Sequence, residues 1–127
     1  ALVDGLEVAG IDVSEYAVTN AKPEIRDFLQ VAGADSLPFP DKGFDLVLSL
    51  NVLHNLRLPE LDRALREIVR VGRGAAYLNV ESYRNEREKA NLLYWQLTCE
   101  PFFAPEEWAW LFERCGYDGD YGFIFFE

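Results

Sequence analysis

Apolar and polar positions fall in blocks along the chain, and the blocks alternate in period. Leu6 to Asp12 is a short apolar run ending in an acid. Ser14 follows as a helix N-cap, with Glu15 at the positive end of the helix dipole, so the opening reads strand, turn, helix, the helix covering about Glu15 to Ala21. Pro23 punctuates that helix, and Phe28 to Ala32 reads as a second strand. Two prolines and a glycine mark Leu37-Pro38-Phe39-Pro40-Asp41-Lys42-Gly43 as a loop. Asp45 to Leu50 then barely alternates, the pattern of a strand covered on both faces in a parallel sheet.

The clearest helix is Pro59 to Val71, with proline at its start, Glu60 and Asp62 in its first turn, Arg66 and Arg70 towards its end and glycines at 72 and 74 beyond it. Leu61, Leu65, Ile68 and Val69 form its apolar stripe, the spacing of a helix lying on a sheet. A strand over Ala75 to Val80 is expected next, then helices over about Asn85 to Thr98 and Pro105 to Cys115. Trp108, Leu111, Phe112 and Cys115 share one face of the second of these helices. In Gly119 to Phe126 both faces are apolar, which predicts a well-covered strand.

Strands alternating with helices imply an α/β fold: a mostly parallel sheet with flanking helices, joined by right-handed crossovers. The 127 residues, half of them hydrophobic and 27% charged, suit one domain over 1–127. Ligands of such sheets bind beyond the carboxyl ends of the strands, which directs attention to Asp12, Gly33 to Ser36, Leu50 to His54 and Glu81 to Tyr83. The formal charge of −10, with its 12 basic residues scattered, argues against a nucleic-acid partner. No apolar run approaches the roughly 20 residues that span a bilayer, and no leader pattern opens the chain, so a cytoplasmic protein without membrane contact is the expectation. Cys99 and Cys115 are the only cysteines and His54 the only histidine, so no metal site is expected and a disulfide is not implied. Aromatic residues are uneven: 4 of the 18 precede Tyr77, so the second half carries the bulk.

Asp12 closes its strand, where in a nucleotide-binding βαβ unit an acid accepts hydrogen bonds from ribose hydroxyls; a surface acid before an N-cap is the plainer reading. The glycine-rich loop of such units lies about 20 residues before this acid. Only 11 residues precede Asp12, so the first strand and its glycine loop are expected to be missing, with Ala1 to Gly5 the end of the helix after them.

Four segments, in order, carry a family resemblance: Gly10-Ile11-Asp12-Val13-Ser14; Leu37-Pro38-Phe39-Pro40-Asp41 with Phe44-Asp45-Leu46-Val47; Asn51-Val52-Leu53-His54-Asn55-Leu56; and Ala64-Leu65-Arg66-Glu67-Ile68-Val69-Arg70-Val71. Their order and spacing resemble the class I S-adenosylmethionine-dependent methyltransferases of the small-molecule type, from the second strand to the fifth. The resemblance implies a Rossmann-like fold, S-adenosylmethionine as cofactor and a small-molecule methyl acceptor. It assigns Asp12 to the ribose, Val13 to the adenine face and the Ala34 N–H to an adenine nitrogen. Leu50 and Asn51 fall beside the methionine part. The family usually has Asp or Asn before that alanine; here Gly33 stands there, and Asp35 just after it is the substitute for the adenine amino group.

His54 suits a general base on the acceptor, but a histidine buttressing its loop is the favoured reading, because methyl transfer from a sulfonium can run on alignment. Glu81 and Tyr83 fall at the crevice edge, Tyr94 lies on the apolar face of its helix and Trp95 widens that face, which makes all four candidates for the acceptor pocket; a satisfied loop and core packing are the plainer readings. Two other readings stand beside the enzyme: a noncatalytic fragment or binding subunit that cannot hold the cofactor alone, and a nicotinamide-dependent oxidoreductase, against which the segments around Leu37 and Asn51 count. The family's first strand lies between Leu6 to Asp12 and Asp45 to Leu50. Its loss would leave two unpaired edges, inviting homo-oligomers through those strands and leaving weak or no cofactor binding.

Overall fold

The computed structural model describes residues 5–96 and 100–127. Five strands and five helices follow in the order β1 (Gly10–Asp12), α1 (Glu15–Thr19), α2 (Pro23–Arg26), β2 (Leu29–Val31), β3 (Phe44–Leu50), α3 (Leu58–Val71), β4 (Gly72–Ser82), α4 (Glu86–Trp95), α5 (Pro105–Arg114) and β5 (Asp120–Phe125). A short 3₁₀ turn, Leu53–Asn55, precedes α3. α1 begins at the cap expected from sequence, with Ser14 Oγ accepting from the Ala17 N–H at 3.1 Å, and α4 begins at a cap not named from sequence, with Asn85 Oδ1 accepting from the Glu88 N–H at 2.9 Å. Proline opens α2, α3 and α5, where its missing N–H costs nothing.

The strands form two parallel sheets, β1-β2 and β3-β4-β5. In the first, Gly10 to Asp12 pair in register with Leu29 to Val31. In the second, Leu50 lies beside Asn79, which lies beside Gly122. One face of the larger sheet packs on α3 and α5, where Leu61, Leu65, Leu78, Val80, Trp108 and Phe112 are fully or almost fully enclosed. Each such side chain contributes about 1.5–3 kcal/mol by leaving water. The fold is therefore α/β with parallel strands and flanking helices, as the sequence predicts.

Three expectations need correction. Of Leu6 to Asp12 only Gly10–Asp12 is strand; β2 offers three partners, and Leu6 to Ala9 stay exposed without a neighbour to hold them extended in a ladder. β3 is not covered on both faces: Leu46, Leu48 and Leu50 are 55%, 59% and 54% exposed, because β3 pairs with β4 alone among the described residues and these leucines face an open cleft. β5 likewise sits at a sheet edge, and Tyr121 is 42% exposed. Smaller differences lie in the helices. A four-residue helix, α2, fills what reads as a proline break, and the stripe of α3 runs through Ala64 and Val71 while Val69 faces outward at 40% exposure. The last part of the helix expected to reach Thr98, and Cys99, lie outside the described residues. Cys115 is buried, its Sγ 3.5 Å from the Asp62 carboxylate, and burial pushes its thiol up to about 11. No helix among the described residues is long and apolar enough to cross a membrane.

Candidate cofactor cleft

Between the two sheets, where β1 and β3 present edges that do not pair with each other, lies a cleft of about 590 Å³. Its composition changes along its length. At the carboxyl ends of the strands it is bounded by Asp12, Val13, Ala34, Leu50 and Asn51; towards the start of β3 its wall is Phe39, Phe44, Leu46, Ile68 and Val71, all apolar. Polar recognition is thus available only at the end where ligands of parallel sheets bind.

Asp12 ends β1 with one carboxylate oxygen tied down: Oδ1 accepts from the Ser14 N–H at 2.8 Å, the local bond that shapes the turn into α1. Across the cleft, Asn51 ends β3 at φ 59°, in the left-handed region that asparagine tolerates better than most residues. Its N–H donates to the Asn79 carbonyl at 3.1 Å. The strand is thereby stopped abruptly, and the chain turns away into Leu53–Asn55.

The wall formed by 33–41 follows from its own sequence. Gly33 stands where a β-carbon would come within 2.6 Å of Asp35 Oδ1, so the Asp35 carboxylate folds back over the glycine. Asp35 is half-buried beside the cleft but is not among the residues lining it. Pro38 and Pro40 contribute no N–H, and the loop takes its bonds from α3 instead. Glu67 Oε1 accepts from the Leu37 N–H at 3.0 Å, and Arg70 donates to the carbonyls of Leu37 and Phe39 at 3.0 and 2.8 Å and to Asp41 Oδ1 at 2.7 Å. Arg70 also pairs with Glu67, whose carboxyl is held below its ordinary range chiefly by that hydrogen bond.

A second polar group lies at the end of β4. His54 and Glu81 are 2% and 5% exposed. His54 Nδ1 accepts from the Glu81 backbone N–H at 3.3 Å, which leaves the ring proton on Nε2, 3.4 Å from Glu81 Oε2. Burial lowers the imidazole and raises the carboxyl, so each is driven towards its neutral form. The Trp108 indole N–H donates to the Glu81 carbonyl at 3.3 Å, and the His54 carbonyl accepts from the Glu100 N–H at 3.0 Å. The pair therefore ties the turn after β3 to β4, α5 and the segment before α5.

Of the residues singled out from sequence, Asp12, Val13, Ala34, Leu50 and Asn51 come together on the cleft. His54, Glu81, Tyr83, Tyr94 and Trp95 do not line it. The Tyr83 hydroxyl donates to the Phe102 carbonyl at 3.3 Å, with Lys89 over its ring. Tyr94 and Trp95 stand out from α4 at 78% and 67% exposure, edge to face with each other. Sequence reasoning missed Arg63, Glu67 and Arg70, which do not line the cleft but hold the loop that does; their spacing of four and three residues, one helix face, was the available signal.

Residues 1–79 match the family described as the methyltransferase domain. The chain belongs to that family. Its fold is shared with the YcgJ protein from Bacillus subtilis, at 23% identity over 84% of this chain and 50% of that one, with a TM-score of 0.68. The [4+2]-cyclase SpnF aligns at 25% identity over 87% of this chain and 43% of that chain, TM-score 0.66. A SAM-dependent methyltransferase from Thermotoga maritima aligns at 24% identity over 87% of this chain and 64% of that chain, TM-score 0.55. This chain thus spans about half the length of the first two. No curated protein matches it. The resemblance to class I S-adenosylmethionine-dependent methyltransferases read from the four segments is borne out at the level of family and fold.

Proposed function

We propose that the carboxyl-end half of the cleft binds the nucleoside of S-adenosylmethionine, and that the protein transfers its methyl group to a small molecule. One observation carries the reading: Asp12, one carboxylate oxygen tied to the Ser14 N–H, lines the cleft at the end of β1 together with the left-handed Asn51 after β3, inside the segment that matches the family. The residues present fit the nucleoside. Asp12 would accept from the ribose hydroxyls, Val13 would cover one face of the adenine, and the Ala34 N–H and Asp35 would meet its nitrogen edge, Asp35 filling the space over Gly33 that a side chain there would take. Leu50 and Asn51 would flank the sugar and the start of the methionine. When bound, the cofactor supplies a methyl group on a sulfonium, and the displacement needs chiefly an aligned acceptor and exclusion of water.

On the acceptor side, Tyr83, Tyr94 and Trp95 offer aromatic surface for an apolar or aromatic substrate, and Glu81, enclosed with His54, fixes the end of β4. His54 is enclosed with Glu81 and holds the turn after Asn51; in this reading it acts by position. A second reading is favoured by the apolar half of the cleft and the exposed leucines of β3: a binding subunit that associates with copies of itself through its unpaired strands. A cytoplasmic setting accords with both.

Calorimetric titration with S-adenosylhomocysteine, and with NAD in parallel, tests the proposal. Weak but saturable binding of the first at one site and none of the second is expected. NAD binding as tight, or no saturable binding of either, would refute it.

A further inference from the structure

We propose that Arg63, Glu67 and Arg70 of α3 form a clamp that sets the conformation of the 33–41 loop, and are thereby positioning residues for the nucleoside; the inference rests on the methyl-donor reading above for what the loop receives. The three lie at i, i+4 and i+7, one face of the helix, and each reaches a different part of the loop. Arg63 approaches Asp35 at 3.7 Å, Glu67 takes the Leu37 N–H, and Arg70 bonds the carbonyls of Leu37 and Phe39 and the Asp41 carboxylate.

An ion pair that served only α3 would stay within the helix, as Arg66 does with Asp62 at 3.1 Å. Arg70 instead directs most of its donors to a loop that its two prolines leave short of N–H groups. Leu37 and Phe39 each precede a proline, so their carbonyls sit in a stretch where every second residue has no N–H to offer a neighbour. A guanidinium supplies five N–H groups in a fixed plane and can hold two carbonyls and a carboxylate at once; an ammonium cannot match that geometry. Leu37 and Phe39 are cleft-lining residues, and Ala34 lies three positions before Leu37. Fixing Leu37 therefore fixes the wall and limits where the Ala34 N–H and the Asp35 carboxylate can point. The loop's own backbone bond, Ser36 N–H to the Gly33 carbonyl at 3.2 Å, ends before Leu37, and from there the helix holds it.

The test combines amide hydrogen exchange with ligand affinity in Arg70→Ala, Arg70→Lys and Glu67→Gln, with Arg66→Ala as the control that breaks an ion pair of the same helix away from the loop. In Arg70→Ala the Leu37 amide should exchange roughly 10-fold faster or more, and affinity for S-adenosylhomocysteine should fall about 10-fold, in proportion to the loss of several charge-assisted bonds at a partly exposed site. Arg70→Lys should be intermediate in both, and added guanidinium chloride at millimolar levels should restore part of the loss in Arg70→Ala and nothing in the control. Glu67→Gln, which keeps an acceptor for Leu37, should change exchange less than Arg70→Ala and guards against a variant that simply unfolds. Exchange at Leu37 no faster in Arg70→Ala than in Arg66→Ala would overturn the clamp. Affinity lost equally in both would overturn its link to the ligand. Wild-type protein that protects Leu37 but binds no S-adenosylhomocysteine would remove the methyl-donor reading and leave the clamp standing as a property of the loop alone.

Discussion

Replacing Asp12 by asparagine separates two jobs that one carboxylate holds. Oδ1 accepts the Ser14 N–H at 2.8 Å and shapes the entry to α1, a bond that an asparagine carbonyl oxygen retains. The other oxygen is the one proposed to accept from the ribose; in the variant it becomes an N–H₂ group, a donor facing two hydroxyls. Stability should therefore hold while affinity falls. The loss is that of charge-assisted hydrogen bonds at an exposed rim, about 1–3 kcal/mol, which is a weakening of about 5- to 150-fold. Exposure places the expectation in the lower part of that range. Asp12→Ala should lose the same affinity and also loosen the turn, lowering the melting temperature where Asp12→Asn does not. Calorimetry with S-adenosylhomocysteine measures the first effect, and repeating it with the 2′,3′-dideoxy analogue closes a cycle, because the hydroxyl-free ligand should bind both proteins almost equally. Equal affinity of wild type and Asp12→Asn for the full ligand, or the same difference for the deoxy analogue, would show that Asp12 does not touch the ribose.

His54→Gln should change turnover by less than about 10-fold, since the ring is buried and its Nδ1 accepts from the Glu81 N–H; a fall of roughly 100-fold, with the protein still folded, would make His54 a general base. The same pair predicts a pH dependence of stability. Burial lowers His54 from 6.5, so the unfolded chain binds the extra proton first and stability drops as pH falls below that value; burial raises Glu81 from 4.5, so its contribution is fully present below 4.5 and is lost as pH rises through its folded value. Thermal melts from pH 4 to 8 should accordingly be flatter on going down from 6.5 in His54→Gln and on going up from 4.5 in Glu81→Gln, and parallel curves for all three proteins would refute this. Trp95→Ala, at a residue 67% exposed, should raise the KM of an acceptor with cofactor affinity and melting temperature unchanged; equal losses for both ligands would place Trp95 outside the acceptor pocket. Leu48→Lys, on the open side of β3, should reduce any concentration-dependent association seen by sedimentation, and undiminished association would move the contact elsewhere.

What the sequence makes legible here is type and order. The strand and helix types follow from period, the cap at Ser14 from its chemistry, and the cleft-facing ends of β1 and β3 from the rule that parallel sheets bind ligands at their carboxyl ends. Coverage is the part that pattern does not determine. Asp45 to Leu50 has the composition of a doubly buried strand, yet Leu46, Leu48 and Leu50 stand open, because apolar residues record what a strand could bury and not which neighbour is beside it. Gly119 to Phe126 was misread for the same reason. His54 and Glu81 are 27 residues apart, and nothing in either segment announces that the two are enclosed together; only the register of β4 with β3 brings the histidine's turn over the glutamate.

The proline-rich loop and the arginine-bearing helix show how two weak signals can be one physical unit. Taken alone, Leu37 to Asp41 is a loop because its prolines break elements, and Arg63, Glu67 and Arg70 are charges on the outer side of a helix, where such pairs usually contribute less than about 1 kcal/mol. Together they answer a single accounting question, namely where the backbone groups of a loop without enough N–H donors find partners. The bonds connect positions 30 to 33 residues apart, so no local window contains both the need and its solution. The same question, asked of each proline-interrupted loop beside a strand end, would have pointed from Leu37 and Phe39 to a forked donor on the next helix, and among the basic residues of α3 only a planar guanidinium late in the helix, Arg70, satisfies two such carbonyls at once.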